Sequence, residues 1–185
     1  SISLRLYLKF MSVQINYKSS SVKKNSSNLV IFSDENYSIS NLKKHVSKTE
    51  YALVSELIKG KDLKKKIISF DITSKKKIIL VSLKKNLTSS DAENLGAKFY
   101  DQFKDLKSAE YNISSDTISL NSNYLVGHFL HGLKLKSYIF DKYKTKKNKN
   151  NISIKILGKN ILPVKEQLKF SFEIKNSPRI TTPFS

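Results

Sequence analysis

Two stretches of the chain alternate apolar and polar residues with period two. These are Ser12-Val13-Gln14-Ile15-Asn16-Tyr17 and Ile152-Ser153-Ile154-Lys155-Ile156-Leu157, which read as strands with one buried face, the second ending at Gly158. Three other runs are nearly continuously apolar. Asn28-Leu29-Val30-Ile31-Phe32-Ser33 lies between polar loops, and Lys66 to Ile72 and Lys77 to Leu83 are joined by Thr73-Ser74-Lys75-Lys76, so a buried strand and a hairpin are expected. The second arm of the hairpin is apolar on both faces and belongs in the sheet interior. Asn112 to Leu120 reads as a weaker strand or two, punctuated by Ser, Asp and Asn.

Helical spacing marks the segments between. Ser47 followed by Glu50 forms a capping-box pattern, Tyr51, Val54 and Leu57-Ile58 follow at helical steps, and Gly60 supplies a stop, predicting a helix over 48–59. Ser90 and Glu93 form a second such pattern, and Ala92, Leu95, Phe99, Phe103 and Leu106 line one face behind it. Leu125, Phe129 and Leu133 give a stripe over 123–134, and Pro163 opens a last helix over 164–172. The order strand, strand, helix, hairpin, helix, strand, helix, strand predicts a layered α/β domain with a mixed sheet flanked by helices.

Composition narrows the functional classes. The chain has 185 residues, 39% of them hydrophobic, enough for one core, and zero cysteines exclude disulfides, Cys-ligated zinc and thiol nucleophiles. The absence of cysteine fits a cytoplasmic setting. No apolar run reaches the roughly 18 residues of a membrane-spanning helix, so no membrane partner is expected. The net charge of +19 points toward nucleic acid. Yet only Arg5 and Arg179 are arginines, and the excess is lysine, which lacks the planar fork that reads guanine and phosphate. Lysine, asparagine and isoleucine share A/T-rich codons, so base composition accounts for much of that excess. Met11 is expected to be the natural start, with residues 1–10 an upstream extension.

Candidate chemistry is sparse. Asp91 and Glu93 fall in the first turn of a helix, where the dipole favours acids, and read as caps. His128 and His131 stand three apart on a helix and share a face, but no carboxylate neighbours them in sequence to complete a metal site. No Gly-x-Ser-x-Gly elbow occurs, and the glycines at 60, 96, 127, 132 and 158 form no phosphate-cradling loop. Lys134 to Lys149 carries seven lysines against Asp141, with Tyr138, Phe140 and Tyr143 interleaved. Such a run could track a nucleic-acid backbone with stacked bases. The favoured reading is a solvated connection before the strand at Ile152, with the rings packed beneath the sheet.

The run Gly132-Leu-Lys-Leu-Lys-Ser-Tyr-Ile-Phe-Asp-Lys-Tyr-Lys-Thr-Lys-Lys147 resembles the end of the N-terminal domain of the leucyl aminopeptidase (cytosol aminopeptidase) family, where a helix leads into a Ser-Tyr-x-Phe-Asp-x-Tyr-Lys-Thr segment. Lys77 to Leu83, then Leu87-Thr88 and the helix from Asp91, is similar to the family's strand, turn and next helix, although Ser82-Leu83-Lys84-Lys85 lacks the usual glycines. The resemblance covers about Met11 to Leu168, and the divergent stretch 169–185 is expected to lack fixed structure. It implies a macro-domain-like fold and, in the full enzyme, a peptidase with two divalent metals, Mn or Zn, assembled as a hexamer. The resemblance places the metal ligands, the catalytic lysine and the Asn-Thr-Asp-Ala-Glu-Gly-Arg motif in a catalytic domain that follows. Asp91-Ala92-Glu93-Asn94-Leu95-Gly96 matches only three letters of that motif. This chain is therefore expected to carry no catalytic, cofactor-binding or metal residues. Two alternatives stand beside this reading: a basic α/β module binding nucleic acid through Lys134 to Lys149, and a macro-like fold binding a nucleotide sugar, for which the Gly-rich loops are missing.

Overall fold

The computed structural model describes residues 13–18, 28–106, 109–117, 125–143 and 152–158. They form six strands, β1 (Val13–Lys18), β2 (Asn28–Asp34), β3 (Ile67–Thr73), β4 (Lys76–Leu83), β5 (Glu110–Ser114) and β6 (Ile152–Leu157), and three α-helices, α1 (Lys48–Leu57), α2 (Ser89–Phe103) and α3 (Leu125–Tyr143). Short 3₁₀ turns at Ser40–Lys44, Ile58–Gly60 and Ser115–Thr117 complete the described elements. The expected α/β class with a mixed sheet is the one observed. Met11, the extension 1–10, the helix expected over 164–172 and the stretch 169–185 lie outside the described residues.

The sheet order is β1-β6-β5-β2-β4-β3. Every neighbouring pair is parallel except β3 with β4, the hairpin foreseen from the polar connection Thr73 to Lys76, of which the structure leaves only Ser74-Lys75 as the turn. β4 lies inside the sheet between β2 and β3, which explains its apolar residues on both faces: Ile79 and Val81 face one layer, Ile78 and Leu80 the other. The first layer is α2 and α3, and the second is α1 with the 3₁₀ turn at Ser40–Lys44. β6 obeys its alternation, sending Ile152, Ile154 and Ile156 into the α2/α3 layer. Full burial of a Leu, Ile or Phe side chain is worth about 1.5–3 kcal/mol, so these two clusters supply the main drive for folding.

α1 starts as its sequence predicts. The Ser47 hydroxyl accepts the Glu50 N–H at 3.1 Å, and the Glu50 carboxylate accepts the Ser47 N–H at 3.2 Å. α2 starts two residues earlier than expected, and the expected Ser90/Glu93 box is replaced. Thr88 is the cap: its hydroxyl accepts the Asp91 N–H at 3.1 Å while Asp91 accepts the Thr88 N–H at 3.0 Å. The buried stripe Ala92, Leu95, Phe99 and Phe103 is as predicted. Of the weak strand or two expected over 112–120, the residues up to Ser114 lie in β5 and Ser115–Thr117 form a 3₁₀ turn, while 118–120 lie outside the described residues.

α3 is longer than predicted. The apolar spacing continues through Leu130, Leu133 and Ser137 to Phe140, so the lysine-rich run is helical up to Tyr143 rather than a connection. α2 and α3 cross with their backbones in contact. A Cβ added at Gly96 would lie 1.9 Å from the Phe129 carbonyl oxygen, and one at Gly132 would lie 2.0 Å from that of Glu93. Only glycine permits that approach at these two positions.

The position of the α2 cap is open to direct test. Thr88→Ala removes the acceptor of an otherwise orphan N–H and should lower stability by about 0.5–2 kcal/mol. Ser90→Ala, at a position outside the cap, should change it by less than about 0.5 kcal/mol. Urea unfolding of the two variants measures both, and the reverse order would restore the Ser90 cap.

Candidate functional site

The loops at the C-terminal ends of β2 and β4 and the start of α2 enclose a cleft of about 930 Å³. Asp34, Asn41, Lys84, Asn86, Thr88 and His128 are among the residues that line it. The β2 loop turns at Asp34, whose Oδ1 accepts the Asn36 and Ser38 N–H groups at 3.0 Å each. Tyr37 in this turn adopts φ 53°, and its hydroxyl donates to the Lys65 carbonyl, anchoring the turn to the layer below. Burial pushes the Tyr37 hydroxyl up to about 12, so it stays a donor. The β4–α2 loop turns at Asn86, with φ 56°. Asparagine tolerates this left-handed region better than other non-glycine residues, which lets the loop form without the glycines usual in the resembled family. The Lys85 N–H donates to Glu35 at 3.0 Å, joining the two loops, and Lys84 Nζ lies 3.2 Å from Asp91.

Behind the cleft, α2 and α3 bring together three residues that sequence reading kept apart. Glu93 Oε1 lies 3.1 Å from His131 Nδ1 and 3.5 Å from His128 Nδ1. The glycine crossing makes this contact: Gly132 rests on the Glu93 backbone, and His128 and His131 flank it by one helical turn and one residue. Glu93 is thus not a cap but an interhelical partner for the histidine pair. No spacing rule could reveal it, because Glu93 precedes His131 by 38 residues. His131 Nδ1 is hydrogen-bonded to that carboxylate oxygen, and His128 Nδ1 lies near the same oxygen without a hydrogen bond. Among the described residues no group of three or more His, Cys, Asp or Glu is placed to hold a metal ion. Burial would raise the Glu93 pKa, but the His131 hydrogen bond and the charges of both imidazoles outweigh it and hold the carboxyl below its ordinary value.

The basic run is partly absorbed by the fold. Lys134 is only 5% exposed, and burial pushes its ammonium pKa down to about 8. Lys136 Nζ lies 3.6 Å from Asp101, and Phe140 packs edge-on to Tyr100 at 6.0 Å with Lys104 above its ring at 4.4 Å. Tyr138 is exposed. Lys144 to Lys149 lie outside the described residues.

No protein-family model and no curated protein sequence matches the chain. A solved structure of a tomato leucine aminopeptidase mutant matches it with a TM-score of 0.59. The fold is similar to part of that enzyme. The match covers 88% of this chain at 18% identity, and 36% of the tomato chain, so this chain spans little more than a third of that protein. At that identity the likeness shows a shared fold. Among the described residues no helix is long and apolar enough to cross a membrane.

The Glu93 contact carries a pH dependence of known sign. A carboxyl whose folded pKa lies below its ordinary 4.5 adds stability that is present above that value and lost as pH falls through the folded pKa. Glu93→Gln should therefore melt below the unsubstituted chain at pH 5 and above, and the gap should close as melts are taken down toward pH 3. A gap independent of pH would mean that Glu93 stabilises only as a neutral hydrogen-bonding group.

Proposed function

We infer that this chain is the N-terminal, non-catalytic region of a leucyl-aminopeptidase-type enzyme, a metal-dependent exopeptidase that releases N-terminal amino acids from peptides. One conjunction carries the reading: the fold is similar to part of a leucine aminopeptidase, and the run from Gly132 to Lys147 that resembles the end of that family's N-terminal domain begins in the last long helix described, α3. In this reading the two divalent metals, Mn or Zn, are bound in a catalytic region beyond this sequence. The domain contributes to a cytoplasmic hexamer and shapes the path by which peptides reach the active site.

The arrangement of the described acids supports a non-catalytic role. Two-metal hydrolysis needs several carboxylates converging on ions about 3.5–4 Å apart. Among the described residues, several of the acids are engaged separately. Asp34 closes a turn, Glu35 holds the β4–α2 loop, Asp91 caps α2, Glu93 binds the histidines and Asp101 pairs with Lys104 and Lys136.

The test reads the genomic DNA downstream of codon 185 in all frames and assays the purified chain. An Asn-Thr-Asp-Ala-Glu-Gly-Arg coding motif downstream, with no Mn²⁺-dependent release from a chromogenic leucine amide by the chain itself, is the expected result. Absence of the motif would remove the aminopeptidase assignment. Chelator-sensitive turnover that survives repurification would remove the non-catalytic role.

A further inference from the structure

The sheet ends at β3, which among the described residues pairs with β4 alone. The hydrogen-bond alternation decides which of its backbone groups are left over. The Ser82 N–H donates to the Lys66 carbonyl at 2.9 Å, and Lys66 stands opposite Ser82 in the register that pairs Ile67 with Val81. Bonded and non-bonded pairs alternate in an antiparallel ladder, so Ile68 and Phe70 bond to β4, while Ile67, Ser69 and Asp71 turn their N–H and C=O groups outward. The register shift comes only beyond Asp71, which leaves this outer row regular. Such a row is a template for another strand.

Both faces beside this edge carry apolar surface. On the α2 side a cavity of about 360 Å³ lies between Lys66, the end of β4 and the outer flank of α2, with Leu87, Leu95 and Ala97 in its wall. Its acids are engaged, Asp91 as the α2 cap and Asp101 with Lys104 and Lys136, whereas Lys66 and Lys98 are exposed and have no ion-pair partner among the described residues. On the other side α1 sets Val54 on the sheet and turns its Tyr51 flank toward Lys43 of the 3₁₀ turn. Leu53 and Leu57, one turn apart on the opposite flank, are 36% and 38% exposed. Leu63 follows, 47% exposed, in the loop that leads into β3 through the exposed Lys64, Lys65 and Lys66. An added strand would send alternate side chains toward the cavity and toward the leucines, and one end of it would meet these ammonium groups.

We propose that β3 is a docking edge for a partner protein, which adds to it, as a further strand, an extended apolar segment flanked by acidic residues. The lysines select the charge of that segment, and the outer backbone row, the cavity and the leucines hold it extended. The proposal stands whether or not the aminopeptidase reading holds. Fluorescence anisotropy of the full chain with the labelled peptide Glu-Asp-Val-Ile-Val-Leu-Glu-Asp tests it. Two control peptides separate the contributions, one with lysine in place of each acid and one of unchanged charge with proline in place of Ile and Leu, which cannot pair along a strand. The acidic peptide should bind saturably, and each control should bind about tenfold more weakly or worse. Ser69→Pro removes an outward N–H without touching a bond to β4, and should weaken the acidic peptide by about tenfold or more. Leu53→Ser/Leu57→Ser, at exposed positions that do not threaten folding, should weaken it as well, so the test holds even where the proline variant fails to fold. No saturable binding, equal binding of the proline peptide, or no loss in the leucine variant would overturn the proposal. Binding to phosphatidylserine vesicles but not to the peptide would assign the face to a membrane, and a dimer abolished by Ser69→Pro would assign the edge to a second copy; either result overturns it as well.

Discussion

The backbone contact between α2 and α3 at Gly96 and Gly132 is the constraint on which the rest of one layer depends. With no Cβ at either position, the helices approach until carbonyl oxygens occupy the space a methyl group would fill. That approach lets Phe99 and Phe129 meet at 5.8 Å and Phe32 and Phe129 at 5.4 Å, closing the aromatic centre of the layer over β2 and β5. It also fixes Glu93 against His128 and His131. A helix pair held apart by ordinary side chains would leave those three groups separately hydrated, and Glu93 would have no reason to lie inside the molecule.

The crossing also decides which way the start of α2 faces. Thr88, Ser89 and Ser90 can all cap a helix, and an acid stands three residues after both Thr88 and Ser90. Starting at Thr88 puts Asp91 on the cap, within reach of Lys84, and frees Glu93 for the histidines. Starting at Ser90 would spend Glu93 on the cap and leave the histidine pair without a partner. Tertiary contact thus selects between two locally acceptable frames. The selected frame sets the wall of the cleft, because Thr88 and Ser89 line it beside Asn86.

Local rules made much of the fold legible. The Ser47/Glu50 box, the stripe from Ala92 to Phe103, the two-faced apolar run of β4 and the alternation of β6 each depend on neighbours within a few residues, and each stands in the structure as read. Contacts between distant segments were not legible. The parallel pairing of β1 with β6 joins residues about 140 apart, and the Glu93 contact crosses two helices. The length of α3 was misjudged for a different reason: Leu-Lys-Leu-Lys at 133–136 obscures the wider spacing Leu130, Leu133, Ser137, Phe140, and lysine rarely signals burial. At Lys134 it is buried nonetheless. The glycines signalled nothing as a phosphate loop because two of them serve helix packing instead.

The most direct test of the close crossing is the stability of Gly96→Ala and Gly132→Ala by urea unfolding. Alanine is the better helix former by about 0.8–1.0 kcal/mol, so on an open helix surface both substitutions would raise the midpoint. At a backbone contact each methyl group must force the helices apart, and the midpoint should fall by the equivalent of about 1–3 kcal/mol or more. A midpoint unchanged or raised in both variants would contradict the crossing and the placement of Glu93 that follows from it.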